Sequence, residues 1–269
     1  MASGVTSPVR ARIPARTLRT DRWWVEPTVT ALVLIAFVVY ATFRAFWGKY
    51  YFVEPYLSPF FEPCLSDLCA PGAAHLGTPI PDFLPPWLDF AKSPAVIILI
   101  IPLSLRLTCY YYRKAYYRSL WASPPACAVA EPHRRYSGET RFPLILQNIH
   151  RYALYLALAY NVLLFYNALL TFRDSHGEWG HMGVGTVIFL TNATLLALYS
   201  FSCHSCRHIV GGQLRHFSKH PIRYRAWKAV SALNAQHAQI AWVSLVFVAF
   251  TDFYVWMIAS GTISDLTFF

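Results

Sequence analysis

The 269-residue chain is 56% hydrophobic and 17% aromatic, and charged residues make up only 13% of it. So few charges cannot solvate an ordinary globular surface, which excludes a water-soluble enzyme domain and leaves lipid as the solvent. The formal net charge of +10 then becomes a question of sidedness.

Residues 1–26 carry Arg10, Arg12, Arg16, Arg19 and Arg22 but no short apolar core followed by a small-residue cleavage site. They are expected to form a cytoplasmic N-terminal segment and not a cleaved signal. The remainder, 27–269, reads as a single membrane domain. A bilayer core about 30 Å thick needs roughly 20 apolar residues in a helix. Stretches near 27–47, 94–115, 147–171, 183–206 and 235–259 meet that length. The predicted fold class is therefore all-α: a polytopic integral membrane protein, a bundle of five transmembrane helices, N-terminus cytoplasmic and C-terminus outside.

The first span opens at Pro27 and the second at Pro94, where a missing amide proton costs nothing in the first turn. Between them, Cys64 and Cys69 sit among Pro59, Pro63 and Pro71 in an outer loop, where a short-range disulfide is expected. Pro102 is expected to kink the second span. Gly211 and Gly212 lie beyond the fourth and are expected to stop its helix after one or two further turns. Asn161, Asn167 and Asn192 are read as interhelical hydrogen-bonding residues.

Sidedness follows from Lys and Arg. Residues 1–26, 113–146 and 205–235 together hold seventeen, against Lys49, Lys92 and Arg173 on the other side. Basic loops stay in the cytoplasm. That bias alone accounts for the basic face, although two inner loops of about 30 residues are longer than helix connections need, which points to a docking surface. The aromatic run Tyr110, Tyr111, Tyr112, Tyr116, Tyr117 and Trp121 reads as an interfacial belt. Nucleic-acid binding has no support beyond charge, and no phosphate loop, nucleophile elbow or paired-carboxylate site is present.

Two intramembrane charges, Arg44 and Asp252, fall near the outer ends of the first and fifth spans, and a structural ion pair is expected. At the cytoplasmic end, Cys109 and Cys127 read as ordinary reduced thiols. Cys203 and Cys206 differ. On a continuous helix they lie about 60° apart on one face, with His204 and His208 nearly opposite. His150 and His237, near the starts of the third and fifth spans, reach the same depth. Four donors from three helices, Cys203, Cys206, His150 and His237, are thus the expected metal ligands, with His204 and His208 as alternates.

Two Cys and two His suit either zinc or a Rieske-type [2Fe-2S] cluster. A b-type haem held by two of these His is the competing assignment. For a quinone, Arg106, Arg151 and His204 are the candidate contacts, with Tyr152, Tyr155, Gln239 and Trp242 nearby in depth. Snorkelling to the interface is the ordinary role of each arginine.

Five helices, His on alternate spans and large basic inner loops resemble a membrane anchor of respiratory complex II. More specifically, the string from Cys203 to His208, with His150 and His237, resembles the actinobacterial, mycobacterial-type succinate dehydrogenase anchor (SdhC-type), a multi-pass subunit of the bacterial plasma membrane. That resemblance implies a Rieske-type [2Fe-2S] centre in place of haem b, with Cys203 and Cys206 on one iron and His150 and His237 on the other. It also implies a flavoprotein subunit that oxidises succinate and an iron-sulfur subunit docked on the cytoplasmic face. Electrons would pass to menaquinone at or near this subunit, which itself does not act on succinate, and several copies of such a complex could associate.

Overall fold

The computed structural model describes residues 19–78, 93–129, 131–132, 144–174, 176–212 and 214–268. Most of the N-terminal segment, together with Asp82, Asp89, Lys92, Arg134, Arg135 and Arg141, lies outside the described residues. Nine α-helices are seen among the described residues: α1 (Val25–Trp47), α2 (Pro94–Ile98), α3 (Ile100–Thr108), α4 (Tyr110–Leu120), α5 (Leu144–Leu170), α6 (Val184–Phe201), α7 (His204–Gly211), α8 (Pro221–Ala235) and α9 (His237–Ala259). Two short antiparallel strands, β1 (Phe52–Val53) and β2 (Tyr56–Leu57), form a hairpin between α1 and α2.

Helices α1, α5, α6 and α9 are each long and apolar enough to cross a membrane, and the count is five if the run from α2 to α4 is one bent span. That run turns by 79° at Cys109. The interruption attributable to Pro102 is milder. Its ring opposes the carbonyl of Ile98, and that is the residue where α2 gives way to α3. Helix α5 packs between α3 and α6, α6 packs on α9, and α1 lies against α4, α2 and α9. Only 11% of the apolar stretch of α1 is covered by protein, so most of its surface is left to lipid.

One end of the bundle is capped. At Gly48, whose φ of 60° suits a residue without Cβ, the amide closes α1 onto the Arg44 carbonyl. The chain then turns into the hairpin, and residues 56–64 dip among the helices. Leu57, Phe60 and Phe61 are buried there. Tyr160 of α5 donates to the Pro59 carbonyl at 2.5 Å, and Asn167 donates to that of Leu57 at 2.9 Å. Asn167 thus serves this loop and not a neighbouring helix, whereas Asn161 does bridge α5 to Ser200 of α6 at 2.8 Å. Cys64 and Cys69 are joined in a disulfide, with Cα atoms 5.9 Å apart.

Arg44 and Asp252 form an ion pair, fully buried on both sides, with Nε to Oδ2 at 2.7 Å. The carboxylate also accepts from the hydroxyls of Tyr40 and Ser58, each at 2.5 Å. The guanidinium donates onward to the carbonyls of Lys49 and Tyr50. Both carboxylate oxygens and all three guanidinium nitrogens thereby find partners within protein, as a buried charge requires.

Glu62, in the inserted loop, has no such partner. Its side chain is buried and Oε2 meets no hydrogen-bond donor. Desolvation pushes its carboxyl up to about 8, so the folded chain keeps a proton that the unfolded chain has already released in the ordinary carboxylate range. Stability contributed by this site is therefore lost as pH rises through that window toward about 8. Glu62→Gln, which is neutral at every pH, should flatten the decline in melting temperature between pH 5 and 8. An unchanged pH profile would show that Glu62 is not the group responsible.

Candidate functional site

Two interhelical junctions at the opposite, basic end are built alike. Thr108 closes α3 and Ser202 caps α6. Each hydroxyl bonds back to its own helix, Thr108 to the Ser104 carbonyl at 2.7 Å and Ser202 to that of Tyr199 at 3.0 Å. Such back-bonding competes with the helical ladder and helps to bend it. The next residue in each case is a cysteine in extended conformation, Cys109 (φ −65°, ψ 131°) and Cys203 (φ −62°, ψ 143°), at the N-cap position of the helix that follows, and the Cys203 sulfur accepts from the Ser205 amide.

The two breaks face two histidines. The Nε2 of His150 lies 2.8 Å from the Cys203 sulfur, and that of His237 lies 3.3 Å from the Cys109 sulfur. On the other side of each ring, His150 Nδ1 is 2.7 Å from the Thr108 hydroxyl and His237 Nδ1 is 2.7 Å from the Ser202 hydroxyl. Both hydroxyl protons are already donated to backbone carbonyls, so each hydroxyl must accept from the imidazole. This hydrogen-bond network assigns the proton of both rings to Nδ1 and leaves the Nε2 lone pair aimed at a thiol. A hydrogen bond that fixes the tautomer and turns the free nitrogen toward a partner is how proteins prepare histidine as a metal ligand. All four residues are buried.

The site therefore gathers Cys203, His150 and His237 as expected from sequence, but the second thiol at the imidazoles is Cys109. Cys206 sits a turn into α7, buried, and no hydrogen bond joins it to either imidazole among the described residues. The reading of Cys203 and Cys206 as one helical face assumed a continuous helix. The helix breaks at Cys203, which removes the 100° per residue relation on which that face depended. A signal was available in the two hydroxyl-cysteine doublets, Thr108-Cys109 and Ser202-Cys203.

His204 and His208 are exposed. Arg151 is exposed as well and donates to His208 Nδ1 at 2.7 Å. Arg106 does not snorkel: it is buried, with its guanidinium 4.6 Å above the Tyr199 ring and donating to Ser244 at 3.1 Å and to the Tyr112 hydroxyl. Tyr199 in turn stacks on His237, the centroids 5.2 Å apart. A buried cation with no carboxylate partner among the described residues thus lies one ring away from the imidazole and thiol cluster.

Among the described residues, no three His, Cys, Asp or Glu side chains converge in a way that would hold a single metal ion. The donors come instead as two separate pairs, each of one thiol and one imidazole nitrogen. Two thiols and two imidazoles are a donor set that a tetrahedral zinc and a Rieske-type cluster both use.

Comparison with known proteins agrees with this architecture. No curated protein matches the chain. A structure of the Mycobacterium smegmatis Sdh1 complex in the apo form contains a chain 55% identical to this one, with a TM-score of 0.87 and full coverage of both chains. The family model for the actinobacterial succinate dehydrogenase subunit SdhC matches residues 25–261, and the chain belongs to that family.

Proposed function

We propose that the chain is the membrane anchor of a succinate:quinone oxidoreductase and carries electrons from a docked iron-sulfur subunit to menaquinone. It crosses the plasma membrane five times, counting the bent α2–α4 run as one span, and its basic end faces the cytoplasm. The observation that carries the reading is the pair of buried imidazoles, each with Nε2 toward a buried thiol and Nδ1 toward a hydroxyl.

Cys109, Cys203, His150 and His237 would hold a Rieske-type [2Fe-2S] cluster, which supplies one-electron transfer at a higher potential than an all-cysteine cluster. Thr108 and Ser202 set the imidazole tautomers. The backbone amide of Ser205, 3.4 Å from the Cys203 sulfur, favours negative charge on that sulfur. Arg106 adds a fixed positive charge near the electron's destination, which favours the reduced state. Exposed Arg151 and His204 lie at the membrane boundary, where a quinone head could meet proton donors. Succinate itself would be oxidised on the flavoprotein partner.

The test is low-temperature EPR of the reduced, purified complex, read beside its iron, acid-labile sulfide and haem content. A Rieske-like signal without haem is expected. Stoichiometric haem with bis-histidine bands, or zinc alone, would overturn the assignment.

A further inference from the structure

A cavity of about 380 Å³ opens where the start of α1 meets α4 and the turn after it. Its lining includes the cations Arg19, Arg22, Lys114 and Arg118 and only two acids, Asp21 and Glu26. Asp21 is already taken by Arg19 through a two-point ion pair, with Nε to Oδ1 at 2.7 Å. Arg22, Lys114 and Arg118 make no hydrogen bond or ion pair to another described residue, so among the described lining residues Glu26 is the one acid left to face three cations. In sequence, residues 1–18 contain three arginines and no acid, so that segment brings no counter-charge either.

We propose that this cavity binds the phosphate headgroup of an anionic glycerophospholipid. Three side chains with fixed positive charge around a cleft this size fit a phosphodiester and its glycerol. Depth favours a lipid over a soluble anion. Trp23 and Tyr111 line the cleft, and such aromatics mark the headgroup level. Trp23, just before α1, and Glu26, Pro27 and Thr30 of α1 line it, while Val25, Val29 and Leu32 of the same helix are exposed. Acyl chains anchored at the cleft could lie along this uncovered apolar surface. Basic pockets between membrane helices bind anionic headgroups through this combination.

The site is separate from the metal centre, so its test does not depend on that assignment. The variant Arg22→Gln/Lys114→Gln/Arg118→Gln would be compared with Arg225→Gln/Lys228→Gln, which removes charge from α8, and with the charge-conserving Lys114→Arg/Arg118→Lys. Each complex would be purified, delipidated and titrated with phosphatidylglycerol in nanodiscs, with phosphatidylcholine nanodiscs and inorganic phosphate as separate arms, binding being read by native mass spectrometry. At about 1 kcal/mol per basic residue, the triple variant should bind phosphatidylglycerol roughly a hundredfold more weakly. The other two variants should bind as the parent does. Equal binding by the triple variant would overturn the proposal. So would displacement of the lipid by millimolar inorganic phosphate, which would mark a free-anion site. Loss of the docked subunit with lipid binding intact would reassign the cleft to an acidic protein partner.

Discussion

Cys109→Ser should abolish the proposed metal centre, whereas Cys206→Ser should leave it largely in place. A serine hydroxyl at Cys109 preserves shape and a hydrogen bond to His237, so helix packing should survive and the purified complex should retain its subunits. What disappears is a soft anionic donor, and hydroxyls do not replace thiolates on iron at neutral pH. Iron and acid-labile sulfide in this subunit should fall to near zero, with loss of the membrane-centre EPR signal. Electron transfer to quinone should drop by at least about a hundredfold, since outer ligand partners alone already cost 10- to 100-fold. Succinate oxidation by an artificial acceptor should persist. Thr108→Val and Ser202→Ala, which free the imidazole tautomers without touching a ligand, should give partial loss. Should Cys206→Ser destroy the centre and Cys109→Ser spare it, the α7 thiol is the ligand and the two-break arrangement is not the functional one.

Asp252→Ala is expected to produce the largest stability loss at the capped end. The substitution strands Arg44, fully buried with its aromatic neighbours Trp47 and Trp256 at 5.5 and 5.2 Å. It also leaves the hydroxyls of Tyr40 and Ser58 without their acceptor. Breaking a buried pair from one side typically costs about 3–5 kcal/mol. A drop in melting temperature and in the yield of assembled complex should follow. The double variant Arg44→Met/Asp252→Leu removes both charges and keeps the volume, so it should recover most of the loss. If the double variant is no better than Asp252→Ala, the pair does more than neutralise itself, and Ser58 anchoring of the inserted loop is the remaining contribution.

Much of the architecture follows from composition. Helix α1 needs no tertiary context to be placed, because a 23-residue apolar run in lipid has one way to satisfy its backbone. Pro94 marks a helix start for a local steric reason, whereas α1 begins at Val25, two residues before the expected Pro27. The end of α7 at Gly211 was legible for the right place and partly the wrong reason. A Cβ on Gly211 would meet the Trp227 ring at 2.1 Å, so its smallness also lets α8 pack close. The pairing of Arg44 with Asp252 was legible because two lone charges at one depth must find each other.

What sequence periodicity could not supply was the irregular backbone. The inserted loop at residues 56–64 carries Leu57, Phe60 and Phe61 into the bundle, but on the page it resembles an exposed proline-rich connection, because its burial is created by distant helices. The same holds for the cluster of thiols and imidazoles. Residue types and depth alone brought His150, His237 and Cys203 together, since desolvation makes unpaired polar groups costly in a membrane. The partnership of Cys109 with His237 was decided only in three dimensions, where two hydroxyls bend two helices and turn one thiol from each break toward a waiting imidazole.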